Sequence, residues 1–273
     1  MSIDWSGPRR QTCPAPDCGR GPKDRTCGVT RDHDGSGVAH CFRCGYVETL
    51  HGDDMQRRSG IAMPRVVNER HEILSDFGQV LWAACRPLAG EALAYLRARC
   101  CVVPPEDGHL RYHPALKHAP SSTVGPALVA LVTDAVTGQP LTLHRTWIRA
   151  DGSKAPVEPP RMLLAGHRKA GGVVRLWPDE AIAQGLGIAE GIETALSLAH
   201  AFTPVWALID AGNLAAMPVL EGVESLLIAA DHDDAGIAAA ETCAARWLDC
   251  ERTASVVMPE QHKADLNDMA RAA

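Results

Sequence analysis

Three stretches decide the fold: LGIAEGIETALSLAHA (Leu186–Ala201), VWALIDAGNL (Val205–Leu214) and LLIAADHDDAG (Leu226–Gly236). Each opens on an apolar run of strand length and continues into a segment with helical spacing, the pattern of successive βα units in an open α/β sheet. Glu190 ends the first run, and Asp231 and Asp233 end the third. Ligands of such sheets sit outside the carboxyl ends of the strands. The three carboxylates are therefore expected on one rim, where they can share a divalent cation.

The surrounding sequence extends the pattern. SLLIAAD is almost continuously apolar, as a strand covered on both faces must be. DDAGIAAAETCAARWLDC reads as an Ala-rich helix and TASVVMP as a fourth strand, after which come Asp265, Asn267 and Asp268. Two carboxylates two residues apart can converge on one hard cation, Mg²⁺ or Mn²⁺, which takes oxygen ligands and retains waters and substrate phosphates. A glutamate across the rim can hold a second cation or move a proton. Phosphoryl or nucleotidyl transfer suits this set. The competing reading, that the Asp-X-Asp pair caps the next helix, accounts for one aspartate but not for Glu190 and a third acidic group downstream.

At 273 residues the chain has room for more than one domain. The opening MSIDWSGPRR lacks the apolar core of a signal peptide and no apolar run reaches membrane length, so a soluble cytoplasmic protein without a membrane partner is expected. The net charge of −6 is unevenly spread: residues 186–273 hold 4 Lys+Arg against 14 Asp+Glu, and residues 1–185 hold 23 against 19. An acidic C-terminal part must approach phosphates through cations. The basic side chains that grip a polyanion must come from the first two-thirds.

Five of the ten cysteines lie between Cys13 and Cys44, which points to metal rather than disulfides. Cys13 and Cys18 form one knuckle and Cys41 and Cys44 a second, each pair followed by glycine. Such pairs supply two thiolates each to a tetrahedral structural Zn²⁺. The intervening residues suit a small ribbon of β-hairpins that buries too little apolar surface to fold without its metal. Cys27, His33 and His40 are alternative ligands.

The expected domains are a zinc ribbon over 1–52, a linker over 53–70, a basic mixed α+β region over 71–183 and an acidic α/β domain over 184–273. In the third, two helices broken near Pro87 and Gly90 precede short β-like runs. PALVALVTD and PLTLHRTWI flank AVTGQ, a hairpin signal, and alternation sets Leu141, Leu143, Arg145 and Trp147 on one face with His144 on the other. Arg97 and Arg99 close a helix where cations suit the dipole or nucleic acid equally. Lys154, Arg161, Arg168, Lys169 and Arg175 together suggest a polyanion groove. Gly171–Gly172 reads as a place where backbone comes close to a ligand.

IAEGIETALSL, VWALIDAGNL and IAADHDDAGIAAAETCAARW resemble a Toprim domain, the metal-binding module of DnaG-type primases and of type IA and II topoisomerases. EGIETAL is most similar to primases of phages, plasmids and integrated elements, whose motif commonly reads EGxxTA, and the tail resembles a (K)DxND signature. YLRARCCVVPPEDGHLRYHPAL and the stretch from LTLHRTWIRADG to KAGGVVRL resemble the region before Toprim in those proteins, and HCFRCGYVE their zinc-binding domain. The resemblance implies a mostly parallel, Rossmann-like sheet and a DNA primase that makes short RNA primers from NTPs on a single-stranded DNA template. It implies Glu190 as general base or acid, Asp231 and Asp233 as ligands of a catalytic Mg²⁺ or Mn²⁺, and Asp265 as a further ligand. Lys263-Ala264-Asp265 departs from a contiguous Lys-Asp. By position, His144, Arg145 and Lys169 are candidates for the nucleotide- or template-binding wall. GxxxxGK[ST] is absent, so a stand-alone primase or one served by a separate replicative helicase is expected. The rival readings are a Toprim nuclease acting on DNA and a non-catalytic single-stranded-DNA-binding module. Topoisomerase action needs a tyrosine on a separate gate domain, and Tyr46, Tyr95 and Tyr112 sit in no such context.

Overall fold

The computed structural model describes residues 3–15, 18, 24–31, 36–50 and 71–272. His33 and the linker expected over 53–70 lie outside the described residues. The chain divides into two compact units, Met1–Val67 and Asn68–Ala273.

The first unit is an antiparallel sheet of four strands in chain order: β1 (Arg10–Gln11), β2 (Cys27–Arg31), β3 (Gly37–Cys41) and β4 (Val47–Leu50). Its small core consists of Ile3, Val29, Ala39, Cys13, Cys18, Cys27 and Cys41. That is too little apolar surface to hold a sheet by itself.

The second unit opens with α1 (Asp76–Ala84), whose N-cap Ser75 accepts a hydrogen bond from the Gly78 amide, and α2 (Glu91–Ala98). The break at Pro87 and Gly90 falls between them as the sequence predicts. Then come β5 (Leu110–His118), β6 (Thr123–Asp134), β7 (Pro140–Trp147), β8 (Arg161–Leu163) and β9 (Gly172–Arg175). The β6–β7 connection is the expected hairpin, with Gly138 at φ +70° in its turn. The alternation along β7 also holds: Leu143 and Trp147 join a core with Leu131 and Leu164 on the side of Arg145.

The remaining elements are β10 (Gly185–Ala189), α3 (Ile192–Leu198), β11 (Val205–Ala207), α4 (Ala211–Ala216), β12 (Ser225–Ala229), α5 (Asp234–Asp249), β13 (Thr253–Val257) and α6 (Leu266–Ala272). The four strands are parallel to one another in the order β13-β12-β10-β11. Period-2 alternation splits them cleanly: Leu186, Ile188, Leu226 and Ile228 face α4 and α5, while Ala189, Leu227 and Ala229 face the side of α3.

The short β9 joins this sheet to the rest. It pairs antiparallel with β11 (Trp206 opposite Arg175) and with β6 (Thr133 opposite Val173), making one nine-stranded sheet. Regions read as separate in sequence, 71–183 and 184–273, thus share one hydrogen-bonded sheet, and Tyr95 and Leu96 of α2 pack in one core with Leu196 of α3. Helix α6, which carries Asn267 and Asp268, was not anticipated from the tail.

Candidate active site

β10 and β12 are neighbours in parallel register, with Ala189 opposite Ala229. Glu190 follows the first end directly and Asp231 comes one residue beyond the second, after Ala230, so they emerge on the same rim. The loop after β12 is hooked to the tail by two backbone bonds: the His232 amide donates to the Ala264 carbonyl at 2.9 Å, and the Lys263 amide to the His232 carbonyl at 2.7 Å. Lys263 adopts φ +65° to make this contact. The insertion that separates Lys263 from Asp265 in sequence is therefore the turn that delivers Asp265 to the rim. Asp265 and Asp268 cap α6 reciprocally, the Asp268 amide donating to Asp265 Oδ1 at 2.8 Å.

The two aspartates after β12 differ in their local duties. Asp233 is the N-cap of α5, its Oδ1 accepting from the Gly236 amide at 2.8 Å. The capping reading is correct for this residue. Asp231 caps nothing, and its Oδ1 is buried with no hydrogen-bond partner. A buried acceptor without a donor costs about 1–3 kcal/mol, unless a cation occupies its lone pairs. Asp210, the N-cap of α4, is a further acidic member.

Burial and the crowding of these groups raise the pKa values of Glu190 and Asp231. Burial, then the charges of Asp231, Asp210 and Asp233, push Glu190 up to about 7. Burial, then Asp265, Asp233 and Asp268, push Asp231 up to about 6. Neighbouring carboxylates that cannot all ionise together are the donor set a hard divalent cation relieves. The donor chemistry suits Mg²⁺ or Mn²⁺, but among the described residues only the four cysteines of the first unit bring their ligand atoms together as a ready metal cluster.

The basic residues singled out in sequence separate into distinct roles. Lys169 reaches the rim, where its Nζ donates to Asp210 Oδ2 at 2.6 Å. Arg145 lies on the opposite face of β7 from His144; its guanidinium packs over Trp147 and donates to the Leu163 carbonyl at 2.7 Å. The structure does not bring Arg145 and His144 together. Arg168 pairs with Asp134 at 2.8 Å, and the buried Arg175 pairs with Asp179 at 2.6 Å and stacks on Trp206. The Gly171–Gly172 backbone approaches Asn213, whose amide bonds the Gly171 N–H and the Lys169 and Gly172 carbonyls.

Lys154, Arg161 and Arg99 form the remaining cationic group. Arg161 and Arg99 both act on Lys154, and the charge of Asp265 reaches Lys154 and Arg161. Arg161 also acts on Asp231. His144 lies beside them, and burial and Arg161 lower its pKa to about 4, so it is neutral at pH 7. Glu193, which the sequence reading passed over, anchors this group. It is buried, and its Oε1 accepts from Arg161 Nη2 at 2.8 Å and from the Tyr95 hydroxyl at 2.7 Å. Burial alone would raise it, but Arg161 and Tyr95 hold it down at about 2. One acidic residue in α3, whose seven residues are all buried, was the available signal.

In the first unit the sulfurs of Cys13, Cys18, Cys41 and Cys44 all lie within 4.8 Å of one another. Cys13 and Cys44 sulfurs are 3.6 Å apart, as are those of Cys18 and Cys41. Tetrahedral zinc with Zn–S of about 2.3 Å demands a sulfur–sulfur edge of about 3.8 Å. Without the cation, burial and the other thiols drive Cys18 up to about 12. For Cys41, burial acts upward, but the Cys44 and Arg43 amides bring it down to about 6. The four-cysteine cluster fits structural zinc. Cys27 is buried in the same core but is not among the four, and His40 points to the exposed face of β3.

Residues 185–273 match the family model for the Toprim domain. This segment is a Toprim domain. Residues 74–176 match a model described only as a domain of unknown function, DUF7146. No curated protein matches the chain. Among solved structures, a DNA primase domain from Pseudomonas aeruginosa is similar at 13% identity and TM-score 0.47, over 73% of this chain and 74% of that one. The primase fragment of the bacteriophage T7 primase-helicase protein gives 15% identity and TM-score 0.42, over 92% and 91%. The Aquifex aeolicus primase (zinc-binding and RNA polymerase domains) gives 14% and 0.46, over 96% and 75%. In the Toprim domain, Glu190, Asp231 and Asp233 occupy the rim at which the acidic motifs were expected. Among the described residues, no helix is long and apolar enough to cross a membrane.

Proposed function

We propose that this protein is a DNA primase that makes short oligoribonucleotides on a single-stranded DNA template by divalent-metal-dependent nucleotidyl transfer. The observation that carries the reading is the buried, unpartnered Asp231 oxygen within a carboxylate rim that faces a group of cations. A Toprim domain and a four-cysteine cluster in the same chain support it further.

Asp231, Asp233 and Asp265 would hold Mg²⁺ or Mn²⁺, which when bound neutralises charge developing on the transferred phosphoryl oxygens. Glu190, its pKa raised to about 7 by burial and then by its acidic neighbours, is suited to take a proton from the attacking hydroxyl of the primer or initiating nucleotide. The Lys154 and Arg161 side would orient the nucleotide phosphates so that attack is in line. The Cys13–Cys44 unit would hold the template. A separate replicative helicase is a candidate partner of such a primase, which could also act alone.

The test is incubation of the chain with single-stranded DNA, labelled NTPs and Mg²⁺ or Mn²⁺, alongside Asp231→Ala. Metal-dependent oligoribonucleotides that vanish in the variant support primase. Shortened DNA replaces this reading with a nuclease, and DNA binding with no product under either metal replaces it with a non-catalytic module.

A further inference from the structure

A cleft of about 520 Å³ opens in the second unit at the end of the sheet away from the acidic rim. Its walls are residues 135–136 after β6, the 3-10 turn Asp179–Ala181 with Ile182, and residues 219–223, the loop that leads into β12. The buried Arg175 of β9 and Trp206 of β11 line it from within. Val223 precedes β12 and Asp231 follows it, and the strand's five residues span about 17 Å at 3.3 Å each. The cleft and the rim therefore stand at opposite ends of one strand. The volume falls in the range of about 300–1,000 Å³ typical of ligand clefts.

The cleft has acceptors to spare and no cation to spare. Among the described residues Arg175 is the one basic side chain lining it, and that side chain is only 6% exposed. Its Nε donates to Asp179 at 2.6 Å, its Nη1 to the Thr133 hydroxyl and the Asp134 carbonyl, and its Nη2 to the Ala135 carbonyl. The Trp206 indole N–H is also taken, by the Trp177 carbonyl at 3.1 Å. Asp179 gives Arg175 one oxygen and keeps the other, and Glu221 has no hydrogen bond or ion pair among the described residues. A phosphate entering here would meet two carboxylates, which rules out a second nucleotide or nucleic-acid site. Beneath the carboxylates, Ile182, Val219 and Trp206 offer apolar surface of the kind that the aliphatic stem of a basic side chain covers.

We propose that this cleft is a docking site for a peptide segment of a partner protein, one in which a Lys or Arg side chain stands beside apolar residues. The cation reaches Asp179 and Glu221, and its stem and an apolar neighbour cover the Trp206 floor. Val136, 70% exposed at the lip, favours a peptide over a small amine, because a residue flanking the cation covers it. A segment seated here leaves the rim at the far end of β12 open, so the partner does not compete with a substrate. The site does not depend on which reaction that rim performs.

The probe is acetyl-Leu-Arg-Leu-Lys-Leu-amide, titrated into the full chain and followed by NMR at the Trp206 indole N–H, a signal identified by its loss in Trp206→Phe. Acetyl-Leu-Glu-Leu-Glu-Leu-amide and agmatine are titrated in parallel. The basic peptide is expected to shift the signal saturably, with a Kd of about 1 mM or tighter, and the acidic peptide to leave it in place. Glu221→Lys is expected to weaken the basic peptide by about fivefold or more, because one attraction becomes a repulsion. Val136→Ser is expected to weaken it by about twofold. Glu241→Lys, the same charge change on an exposed position of α5, is expected to leave the affinity as it is. None of these three substitutions replaces a buried side chain. No saturable shift, equal shifts by the two peptides, or an affinity indifferent to Glu221→Lys overturns the site. Agmatine bound as tightly as the basic peptide overturns the peptide reading and makes the cleft a small-amine site.

Discussion

Glu190 and Asp231 stand at the ends of two adjacent parallel strands whose last residues, Ala189 and Ala229, are register partners, and each carboxyl group is raised above its ordinary range. Asp231 is the second cause, after burial, of the rise at Glu190. A pair set this way is unfavourable until a cation joins it.

Asp231→Asn is therefore expected to separate stability from function. Removing the charge relieves Glu190 and leaves a side chain of the same shape, so the metal-free protein gains about 1 kcal/mol after allowing for solvent screening. That corresponds to a rise of roughly 2–4 °C in Tm. The same variant loses divalent-dependent activity. Scanning calorimetry in chelator decides the point: a lower Tm for the variant would mean that Asp231 is stabilised in the free protein by a partner other than a cation.

The pH dependence follows from the same two groups. Both folded-state values, about 7 and about 6, lie above those of the unfolded chain, so their contribution to stability is present below about pH 4 and is lost as pH rises through 6 to 7. A cation must displace the retained protons. The rise in Tm produced by saturating Mg²⁺ is expected to be larger at pH 8 than at pH 5.5, with proton release measurable by titration in buffers of different ionisation enthalpy. An increment independent of pH would remove Glu190 and Asp231 from the site.

Zinc content distinguishes the four cluster thiols from their buried neighbour. Cys41→Ser and Cys44→Ser are expected to lose most of about one equivalent of zinc, and Cys27→Ser to keep it, because Cys27 is outside the four-sulfur cluster. Since metal supplies most of the folding free energy of so small a core, the two former variants should also open the Met1–Val67 unit to protease while the second unit stays protected. Elemental analysis and limited proteolysis read these outcomes, and loss of zinc in Cys27→Ser would reassign the ligands.

Gly236 makes the close approach that seats the start of α5 against the Asp231 loop. A Cβ there would run into the Asp231 carbonyl oxygen, so Gly236→Ala must displace either the helix start or Asp231 itself. A loss of about 1–3 kcal/mol is expected, with a fall in activity beyond what the lower stability explains. Gly125→Ala, where a Cβ meets nothing within 4 Å, serves as the control. Equal Tm values for the two variants would show that the Asp231 loop yields without cost.

Much of this architecture is legible in the chain. Strand-length apolar runs alternating with helical spacing place Glu190, Asp231 and Asp233 on one rim because strand ends and ligand sites coincide in parallel sheets. The paired cysteines, five residues and three residues apart, likewise announce their cluster, since thiolate pairs at a turn are close before any tertiary contact forms. These are local relationships, set by period and spacing.

What sequence left open is long-range. Arg145 and Arg161 look alike as cations on β-rich segments, yet one is buried against Leu163 and Trp147 and the other is held at the acidic rim by Glu193 and Tyr95, partners 32 and, for Tyr95 to Glu193, 98 residues away. Short β9, four residues long, decides that two regions of different composition share one sheet. The Lys263 turn decides that Asp265 reaches Asp231. Local spacing determined which residue types could bind metal and on which edge they would stand. Which cations face them was settled only by packing, because the burial and pairing of a charge depend on contacts that no period in the chain records.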